Sequence, residues 1–278
     1  MLTVAAIERV RPQQVTSTPI PTFSFGSESR PTPTASTPPS STPSPTGASA
    51  AAQAPAAEQR FLSAGSGGMW RATAGVCGGP APVVERSVDG GRTWTNVTPT
   101  YKGIAQVISL STFAGTEAEM VAAMGANCEV QALRTFTQGE FWDSYPDVLA
   151  ASTYVAPADA SAVVTPDGPK PAPCTDPRSV RAIGDAVALV CDGTARISVG
   201  ADWRDLGPAT TVALTADAVL IASTGAGCDG ATLTRVSLAG GNPQPAGCAT
   251  GASDNIAIAS DGTSIWVWSD DTVTRIRA

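Results

Sequence analysis

The sequence predicts an all-β fold that is assembled from repeated units. Three segments in the second half of the chain begin with a polar residue and continue into four or more apolar residues: Asp185–Val190, Asp217–Ala222 and Asp254–Ala259. Continuous apolar runs of this length are typical of buried strands, and turns such as Asp192-Gly193 follow them. Between residues 58 and 278, no stretch has the periodicity of a long amphipathic helix.

One eight-residue segment, Ser87-Val88-Asp89-Gly90-Gly91-Arg92-Thr93-Trp94, indicates which repeat this is. It resembles the Asp-box, or bacterial neuraminidase repeat, at every defined position of the pattern S-x-D-x-G-x-T-W. In Asp-box proteins the Ser and Asp side chains bond backbone groups of a tight turn, and the Trp anchors the next strand. The resemblance implies a β-propeller, and it gives structural roles to Ser87, Asp89, Gly91, Thr93 and Trp94.

The spacing of this motif recurs along the chain. The three-residue step from glycine to tryptophan appears three times: Gly91 to Trp94, Gly139 to Trp142 and Gly200 to Trp203. In the second copy Thr135 replaces the Ser and Thr137 replaces the Asp, whereas a fourth copy has Pro243 in place of the Trp. The steps between the last positions of the copies are 48, 61 and 40 residues. They bracket the roughly 40 to 50 residues that are typical of a propeller blade.

Chain length sets the number of blades. The 221 residues from 58 to 278 correspond to five or six blades, at about 40 residues each. The repeats divide this region into the segments 58–101, 102–146, 147–178, 179–208, 209–250 and 251–278. The third segment is irregular, and the sixth ends where a turn and an outer strand should follow, so we expect a segment from elsewhere to complete it. We predict a propeller of five or six four-stranded blades.

Residues 1–57 differ in composition from the rest of the chain. Pro, Ser, Thr and Ala dominate from Pro12 to Pro55, and such a segment cannot bury enough apolar area to offset its ordering entropy. We expect a disordered Pro/Ser/Thr-rich tether that precedes a propeller domain at 58–278. Residues 1–7 are apolar but shorter than the roughly 20 residues that span a bilayer. We interpret them as the end of a longer transmembrane or signal segment, with a free terminus as the alternative.

The cysteines indicate an oxidising compartment. Their even number, the absence of C-x-x-C spacing and the absence of histidine argue against zinc, so we predict no bound metal. Disulfides are the better explanation, and we favour sequential pairing because the last two pairs flank single blades. The alternative is six reduced thiols in a cytosolic protein. The residues are Cys77, Cys128, Cys174, Cys191, Cys228 and Cys248. We expect an extracytoplasmic protein that is secreted or associated with the cell envelope.

The charge of the chain limits its partners. The chain has 17 Lys and Arg and 24 Asp and Glu, which gives a net charge of −7, and it has no basic stripe. Nucleic acid and acidic phospholipid surfaces are therefore not expected. No glycine-rich phosphate loop occurs, and no cofactor is predicted. The remaining partners are an envelope protein or a glycan, bound by a monomer.

Catalytic chemistry is restricted because the chain contains no histidine, which excludes the common Ser and Cys triads. The resemblance leaves a sialidase-type glycoside hydrolase, which uses three arginines on the substrate carboxylate, a Tyr nucleophile with a Glu, and an Asp acid. The F/Y-R-I-P arginine motif of that family is absent, and no tyrosine (Tyr101, Tyr145, Tyr154) matches the nucleophile. Paired carboxylates can also hydrolyse glycosides, and the candidates are Glu117 with Glu119, Glu140 with Asp143, and Asp270 with Asp271. We interpret them as solvated turn residues and assign no catalytic residue.

Aromatic residues outside the repeat positions are the candidate binding residues. Trp266 and Trp268 should share one face of a strand, and Trp70 is the third candidate. Such side chains stack on sugar rings or anchor protein partners, and packing between blades is the alternative. We predict a non-enzymatic extracytoplasmic binding or assembly module, tethered to the cell envelope. The alternative is a diverged sialidase-type glycoside hydrolase.

Three arginines recur at one position of the repeat: Arg86, Arg134 and Arg235. Contacts at a strand edge or between blades are the simplest interpretation. A joint anion-binding site is the alternative.

Overall fold

A computed structural model describes residues 59–200, 202–225 and 227–277. The predicted tether at 1–57, with the apolar residues 1–7, lies outside these residues. Six antiparallel sheets make up the described part of the chain, and each sheet is formed by consecutive strands. Its helical segments are short, a 3-10 turn at Thr100–Lys102 and the helix α1 (Pro146–Ala150).

The first three sheets are built as follows. Blade 1 contains β1 (Arg60–Gly65), β2 (Gly68–Thr73), β3 (Val83–Ser87) and β4 (Thr95–Asn96). Blade 2 contains β5 (Ile104–Phe113), β6 (Glu117–Met124), β7 (Glu129–Thr135) and β8 (Asp143–Ser144). Blade 3 contains β9 (Tyr154–Ala156), β10 (Asp159–Thr165) and β11 (Gly168–Pro171).

The other three sheets follow in chain order. Blade 4 contains β12 (Arg178–Ile183), β13 (Ala186–Cys191), β14 (Thr194–Val199) and β15 (Trp203–Pro208). Blade 5 contains β16 (Thr211–Leu214), β17 (Ala218–Thr224), β18 (Gly230–Ser237) and β19 (Gln244–Thr250). Blade 6 contains β20 (Ile256–Ser260), β21 (Ser264–Ser269) and β22 (Thr272–Arg277).

The six sheets form a six-bladed β-propeller, which confirms the predicted fold class. The first strand of each blade contacts the first strands of its neighbours, in the order β1, β5, β9, β12, β16 and β20. Strand β20 in turn contacts β1, so the ring is closed. Four blades have four strands, whereas blades 3 and 6 have three among the described residues.

Blade 3 is small for a reason that is visible in its sequence. Its outer strand β11 contains Pro169 and Pro171, which pair with Val164 and Ala162 of β10. Proline has no amide hydrogen to donate, so a strand with two prolines suits an edge position and not the interior of a sheet. The sheet therefore ends at β11.

The core is divided among the interfaces between blades. One apolar cluster joins blades 1 and 2, and others join blades 3 and 4, blades 4 and 5, and blades 5 and 6. Because each sheet packs against neighbours on both faces, its interior strands are apolar at consecutive positions. This explains the three apolar runs of the sequence. Two of them are the second strands β13 and β17, whereas the third is the innermost strand β20.

Side chains close the ring between blades 6 and 1. Leu62 and Met69 of blade 1 pack with Ala257 and Trp268 of blade 6, and Arg60 Nη1 donates to the Asp270 carbonyl at 2.9 Å. Within the described residues no strand is shared between these two blades. Apolar packing and hydrogen bonds between side chains and backbone therefore replace the shared sheet at this junction.

Three disulfides join the six cysteines in sequential pairs: Cys77–Cys128, Cys174–Cys191 and Cys228–Cys248. The first links blade 1 to blade 2, and the third lies within blade 5. Disulfides persist in oxidising compartments, so they indicate an extracytoplasmic environment. Among the described residues, none of the helices has the length and apolar character needed to cross a membrane.

Candidate ligand-binding site

The Ser87–Trp94 segment forms a hydrogen-bonded turn between β3 and β4. Asp89 Oδ1 accepts bonds from the amides of Arg92 and Thr93 at 3.0 and 2.9 Å, and Oδ2 accepts the Thr93 hydroxyl at 2.7 Å. Ser87 Oγ accepts the Gly91 amide at 2.8 Å. The bonds from Thr93, and then those from Ser87 and Arg92, hold the pKa of Asp89 well below its usual range. Asp89 is therefore an ionised turn residue that is unsuited to donate a proton in catalysis.

The second copy of the repeat uses hydroxyl groups in the same geometry. Thr135 Oγ1 accepts the Gly139 amide at 2.9 Å, and Thr137 Oγ1 accepts the Phe141 amide at 2.7 Å. Each bond spans four residues, like the bonds to Ser87 and Asp89 in the first copy. The altered motif therefore retains the turn.

The tryptophans at the repeat positions pack between blades. Trp142 lies edge-on to Trp70 of blade 1 with ring centroids 5.7 Å apart, and its Nε1 donates to the Val97 carbonyl at 3.3 Å. Trp203 Nε1 donates to the Pro171 carbonyl of blade 3 at 3.1 Å. Trp94 packs at the junction of blades 1 and 6. In each case the indole fills the gap to the preceding blade.

The three candidate binding tryptophans occupy different environments. Trp70 is 0% exposed and Trp268 is 4% exposed, so both belong to the core. Trp266 and Trp268 contact the same cluster, as the strand pattern predicts. Trp266 is half-buried, and its Nε1 donates to Asp261 Oδ2 at 3.0 Å. Of the three, Trp266 alone retains substantial exposure.

Hydrogen bonds around Asp261 outweigh the cost of its partial burial. Burial favours the neutral acid, but bonds from the Thr263 amide, the Trp266 indole and the Thr263 hydroxyl favour the carboxylate. Together they lower the pKa of Asp261 to about 2. This carboxylate therefore orders the β20–β21 turn.

The recurring arginines and the paired carboxylates form separate structural contacts. Arg134 makes an ion pair with Glu119 in blade 2, and Arg235 makes one with Asp217 in blade 5. Arg86 lies 5.8 Å from the ring of Trp70 in blade 1. The three arginines do not converge on one site.

The carboxylate candidates lie on separate strands and turns. Glu117 and Glu119 lie on strand β6, so our assignment of this pair to a turn was wrong. Glu140 lies in the bend before β8, but Asp143 lies on β8 and pairs with Lys102 at 3.2 Å, so the turn assignment was also wrong for Asp143. Asp270 and Asp271 form the β21–β22 turn, as predicted. The described residues contain no cluster of three or more His, Cys, Asp or Glu that could hold a metal ion.

An aromatic patch that the sequence did not predict lies on blade 2. We use this name for Phe113, Phe136 and Tyr145, which surround Arg134. The rings of Phe113 and Phe136 are 5.3 Å apart, and those of Phe136 and Tyr145 are 6.0 Å apart. The Arg134 guanidinium lies 4.3 Å from the Phe113 ring and 5.6 Å from the Tyr145 ring. Phe136 is 56% exposed, so the patch faces solvent.

A cavity of about 1020 Å³ adjoins the patch where blades 2, 3 and 4 meet; we call it the blade-3 cavity. Its walls are β5 and β6, the end of α1, the β10–β11 hairpin, and β12 with the turn that follows it. Glu119 joins the two features, because it lines the cavity and pairs with Arg134 of the patch. The small third blade leaves this space beside its larger neighbours.

Arg181 is an unusual residue of the cavity wall. It lies on β12 of blade 4, and its guanidinium lies 5.3 Å from the phenyl ring of Phe61 in blade 1. Nη1 donates to the Val180 carbonyl at 2.9 Å, whereas Nη2 is out of contact with solvent and has no hydrogen-bond partner. Burial lowers the pKa of Arg181 to about 10, so the group remains charged at neutral pH.

The other charged residues of the cavity differ in their surroundings. The Lys170 ammonium donates to the Ser198 hydroxyl and the Gly200 carbonyl, and it lies 5.0 Å from the Trp203 ring. Asp167 and Asp185 lie in exposed turns at the rim. Among the described residues, neither Arg181 nor Lys170 forms an ion pair.

The repeat does contain a signal for the aromatic patch. Phe136 occupies the position that Val88 occupies in the first copy, an undefined position of the motif whose side chain is 68% exposed there. A contiguous exposed apolar patch marks an interaction surface, whereas a single exposed side chain does not, so Phe136 is informative only together with its neighbours Phe113 and Tyr145. The cavity and Arg181 have no comparable signal in the sequence.

The chain is similar to several solved structures at low sequence identity. No protein-family model and no curated protein matches the sequence. The solved structure of YCF48 bound to D1 peptide is similar at 15% identity, with a TM-score of 0.41 over 78% of each chain. YCF48 from Cyanidioschyzon merolae is similar at 17% identity, with a TM-score of 0.40 over 78% of this chain and 81% of that one. The Hadza microbial sialidase Hz136 is similar at 11% identity, with a TM-score of 0.35 over 78% of this chain and 52% of that one.

Proposed function

We propose that this protein is a non-enzymatic binding or assembly module outside the cytoplasm, and that its ligand contacts the aromatic patch and the blade-3 cavity. The observation that carries the proposal is the contiguity of these two features. Glu119 lines the cavity and pairs with Arg134, which the patch surrounds, and the helix that follows Tyr145 also lines the cavity. Concave sites lined by apolar residues with a few polar groups are the usual binding sites of proteins.

The composition of the patch supports a binding role. Aromatic residues and arginine are enriched where binding energy is concentrated, because they bury a large area with few rotatable bonds. Phe136 lies at the exposed end of the cluster, whereas Phe113 and Tyr145 are half-buried. A partner that covers Phe136 would bury apolar area that is already ordered, so it would lose little side-chain entropy.

The carboxylates of the cavity favour binding over hydrolysis. Glycoside hydrolysis requires two carboxyl groups that face the scissile bond from opposite sides. Glu119 is held by Arg134, and Asp167 and Asp185 lie in exposed turns. No tyrosine lines the cavity within the described residues. A sialidase-type hydrolase remains the alternative function and has its own test below.

The partner that we propose is an envelope protein or glycan, bound by a monomer. The three disulfides support a location outside the cytoplasm. The chain would be held at the envelope through residues 1–57, of which residues 1–7 would belong to the anchoring segment. This part of the proposal derives from the sequence.

Affinity capture tests the function. The full chain, with its disulfides formed, is immobilised and exposed to a cell-envelope extract, and the same is done with Phe136→Ala and Val88→Ala. Val88 is the matched control, because it occupies the equivalent exposed position in blade 1. We expect a component that the wild type and Val88→Ala retain and Phe136→Ala loses. Equal retention by all three proteins would contradict the proposed site.

A glycoside panel tests the alternative. Fluorogenic glycosides, including a sialoside, are incubated with the full chain and with Glu119→Gln. If the wild type hydrolyses a glycoside and Glu119→Gln does not, the protein is a hydrolase and not a non-enzymatic binding module. We expect no hydrolysis above that of the buffer.

A further inference from the structure

Arg181 is a partly buried cation without a counter-charge among the described residues, and its Nη2 is out of contact with solvent at the wall of a cavity large enough for a ligand. We propose that the blade-3 cavity binds a carboxylate group of the ligand, and that Arg181 and Lys170 provide the positive charge that selects it. This inference rests on the proposed function, because it names the chemistry of the ligand in the same cavity. It predicts which functional group of the ligand enters the site.

The environment of Arg181 favours an anionic ligand. Proteins rarely bury an arginine without a carboxylate partner, because the lost hydration is not compensated. The Val180 carbonyl satisfies Nη1, and the Phe61 ring offers a cation–π contact, but Nη2 has no acceptor. Because Nη1 is bonded to Val180 and Nη2 is out of contact with solvent, Arg181 would attract a ligand carboxylate in the cavity by its charge and not by a pair of hydrogen bonds.

A second cation lines the same cavity. Lys170 is one of only two lysines in the chain. Its neighbours Ser198, Gly200 and Trp203 are uncharged, and they hold the ammonium at the cavity without neutralising it. The cavity therefore has two positive groups that are not paired within the described residues.

The acidic residues of the cavity do not cancel this charge. Glu119 is neutralised by Arg134. Asp167 and Asp185 are exposed in turns, where water and salt screen their charge. Arg181 is shielded from solvent at Nη2, so its field acts through protein of low dielectric constant and is screened less. The inner part of the cavity is therefore favourable for an anion.

The stability of a variant separates a binding role from a structural one. Arg181→Met keeps a long side chain but removes the charge. If Arg181 serves a ligand, we expect the Tm of Arg181→Met without ligand to equal or exceed that of the wild type, because a buried unpaired charge is destabilising. A decrease of more than about 3 °C, which corresponds to roughly 1 kcal/mol in a domain of this size, would assign Arg181 to structure and overturn the proposal.

Arg178→Met is the matched control. Arg178 lies on the same strand, β12, but it is exposed and pairs with Asp176 at 2.5 Å. Its charge lies outside the blade-3 cavity. We expect this variant to bind the probes like the wild type.

Calorimetric titration with paired probes tests the carboxylate. The probes are a set of N-acetylated hexapeptides, each made with a free carboxyl terminus and as the amide, and sodium glucuronate with glucose as its neutral counterpart. We expect at least one acid to bind at least tenfold more tightly than its neutral counterpart. Arg181→Met should lose this preference, and Arg178→Met should keep it. Preference for an acidic peptide or for glucuronate identifies the source of the carboxylate.

The outcomes distinguish this inference from the function on which it rests. Acids and neutral counterparts that bind equally, an absence of binding by every acid, or a preference that persists in Arg181→Met would overturn the carboxylate site. The binding module would survive such a result if Phe136→Ala still loses the captured component. If both tests fail, the cavity and the patch are not the binding site.

Discussion

The Thr93 hydroxyl donates to Asp89 Oδ2 at 2.7 Å, while the amide of the same threonine donates to Asp89 Oδ1 at 2.9 Å. One residue therefore satisfies both oxygens of the carboxylate. These bonds, with those from Ser87 and Arg92, favour the ionised form and lower the pKa of Asp89. They connect the two ends of the β3–β4 turn.

Asp89→Asn should lower the Tm at neutral pH in a way that depends on pH. A carboxylate with a lowered pKa stabilises the fold above the unfolded pKa of about 3.9, and it loses this effect as the pH falls towards the folded value. The Tm gap between the wild type and Asp89→Asn should therefore narrow below about pH 4. Thermal unfolding between pH 7 and pH 2 measures it.

Asp254→Asn is the control for this experiment, because Asp254 is exposed and no hydrogen bond to its side chain is present in the described part of the chain. It should leave the Tm unchanged at neutral pH. A gap for Asp89→Asn that stays constant over the whole range would show that the charge of Asp89 does not stabilise the turn.

Gly139→Ala should destabilise the protein more than Gly193→Ala. Both glycines have positive φ, 95° and 72°, so each alanine costs about 1 kcal/mol of backbone strain. A Cβ at Gly139 would also lie 2.7 Å from Val97 Cβ, whereas a Cβ at Gly193 would meet no atom within 4 Å. We expect about 1–3 kcal/mol more loss for Gly139→Ala, from overpacking. Urea unfolding measures the difference, and equal losses would contradict the tight approach of blades 1 and 2.

Trp268→Ala and Trp266→Ala should differ in cost although both residues lie on one face of β21. Trp268 is buried at the junction of blades 6 and 1, so its removal should cost about 3–5 kcal/mol. Trp266 is half-buried, and we expect a loss nearer 1–2 kcal/mol. Chemical denaturation at one pH compares the two variants. Similar losses of unfolding free energy in the two variants would mean that Trp268 does not stabilise the junction of blades 6 and 1 more than Trp266 does.

Removal of a disulfide should destabilise the fold according to the length of the loop that it closes. The Cys174–Cys191 and Cys77–Cys128 bridges separate residues by 17 and 51 positions. Loop entropy predicts a loss of about 3 kcal/mol for the Cys174→Ser/Cys191→Ser pair and about 1 kcal/mol more for Cys77→Ser/Cys128→Ser. Urea unfolding of the two double variants measures both. The reverse order would show that local packing outweighs loop entropy.

The repeats predicted much of the fold because their signals are local. The Gly91–Trp94 offset and its copies gave a blade period. The strands of each sheet fall inside one of the six segments that this period defines, except that β12 begins one residue before its segment. The resemblance to a propeller was needed to turn this period into an architecture. The second copy of the motif is harder to recognise because it has Thr137 where the motif has Asp. Thr137 nevertheless accepts the hydrogen bond from the amide four residues later.

The candidate site was less predictable because it depends on contacts between distant residues. Trp70, Trp266 and Trp268 were equivalent candidates in the sequence, and only their neighbours show that two of them are buried. Trp70 packs against Trp142, which lies 72 positions later and in the next blade. A strand pattern defines the face of a residue, but it does not define which blade covers that face.

By itself, therefore, the sequence determined the all-β repeat, a range of five or six blades and the indication of an oxidising compartment, because periodicity and glycine offsets are local and the cysteine count is a property of composition. The structure fixed the count at six blades. The tertiary structure decided which surfaces remain open. It brought Arg181 of blade 4 against Phe61 of blade 1, and it gathered Phe113, Phe136 and Tyr145 around Arg134. Such contacts form only when the ring closes, since closure sets the distances between blades that are remote in the chain.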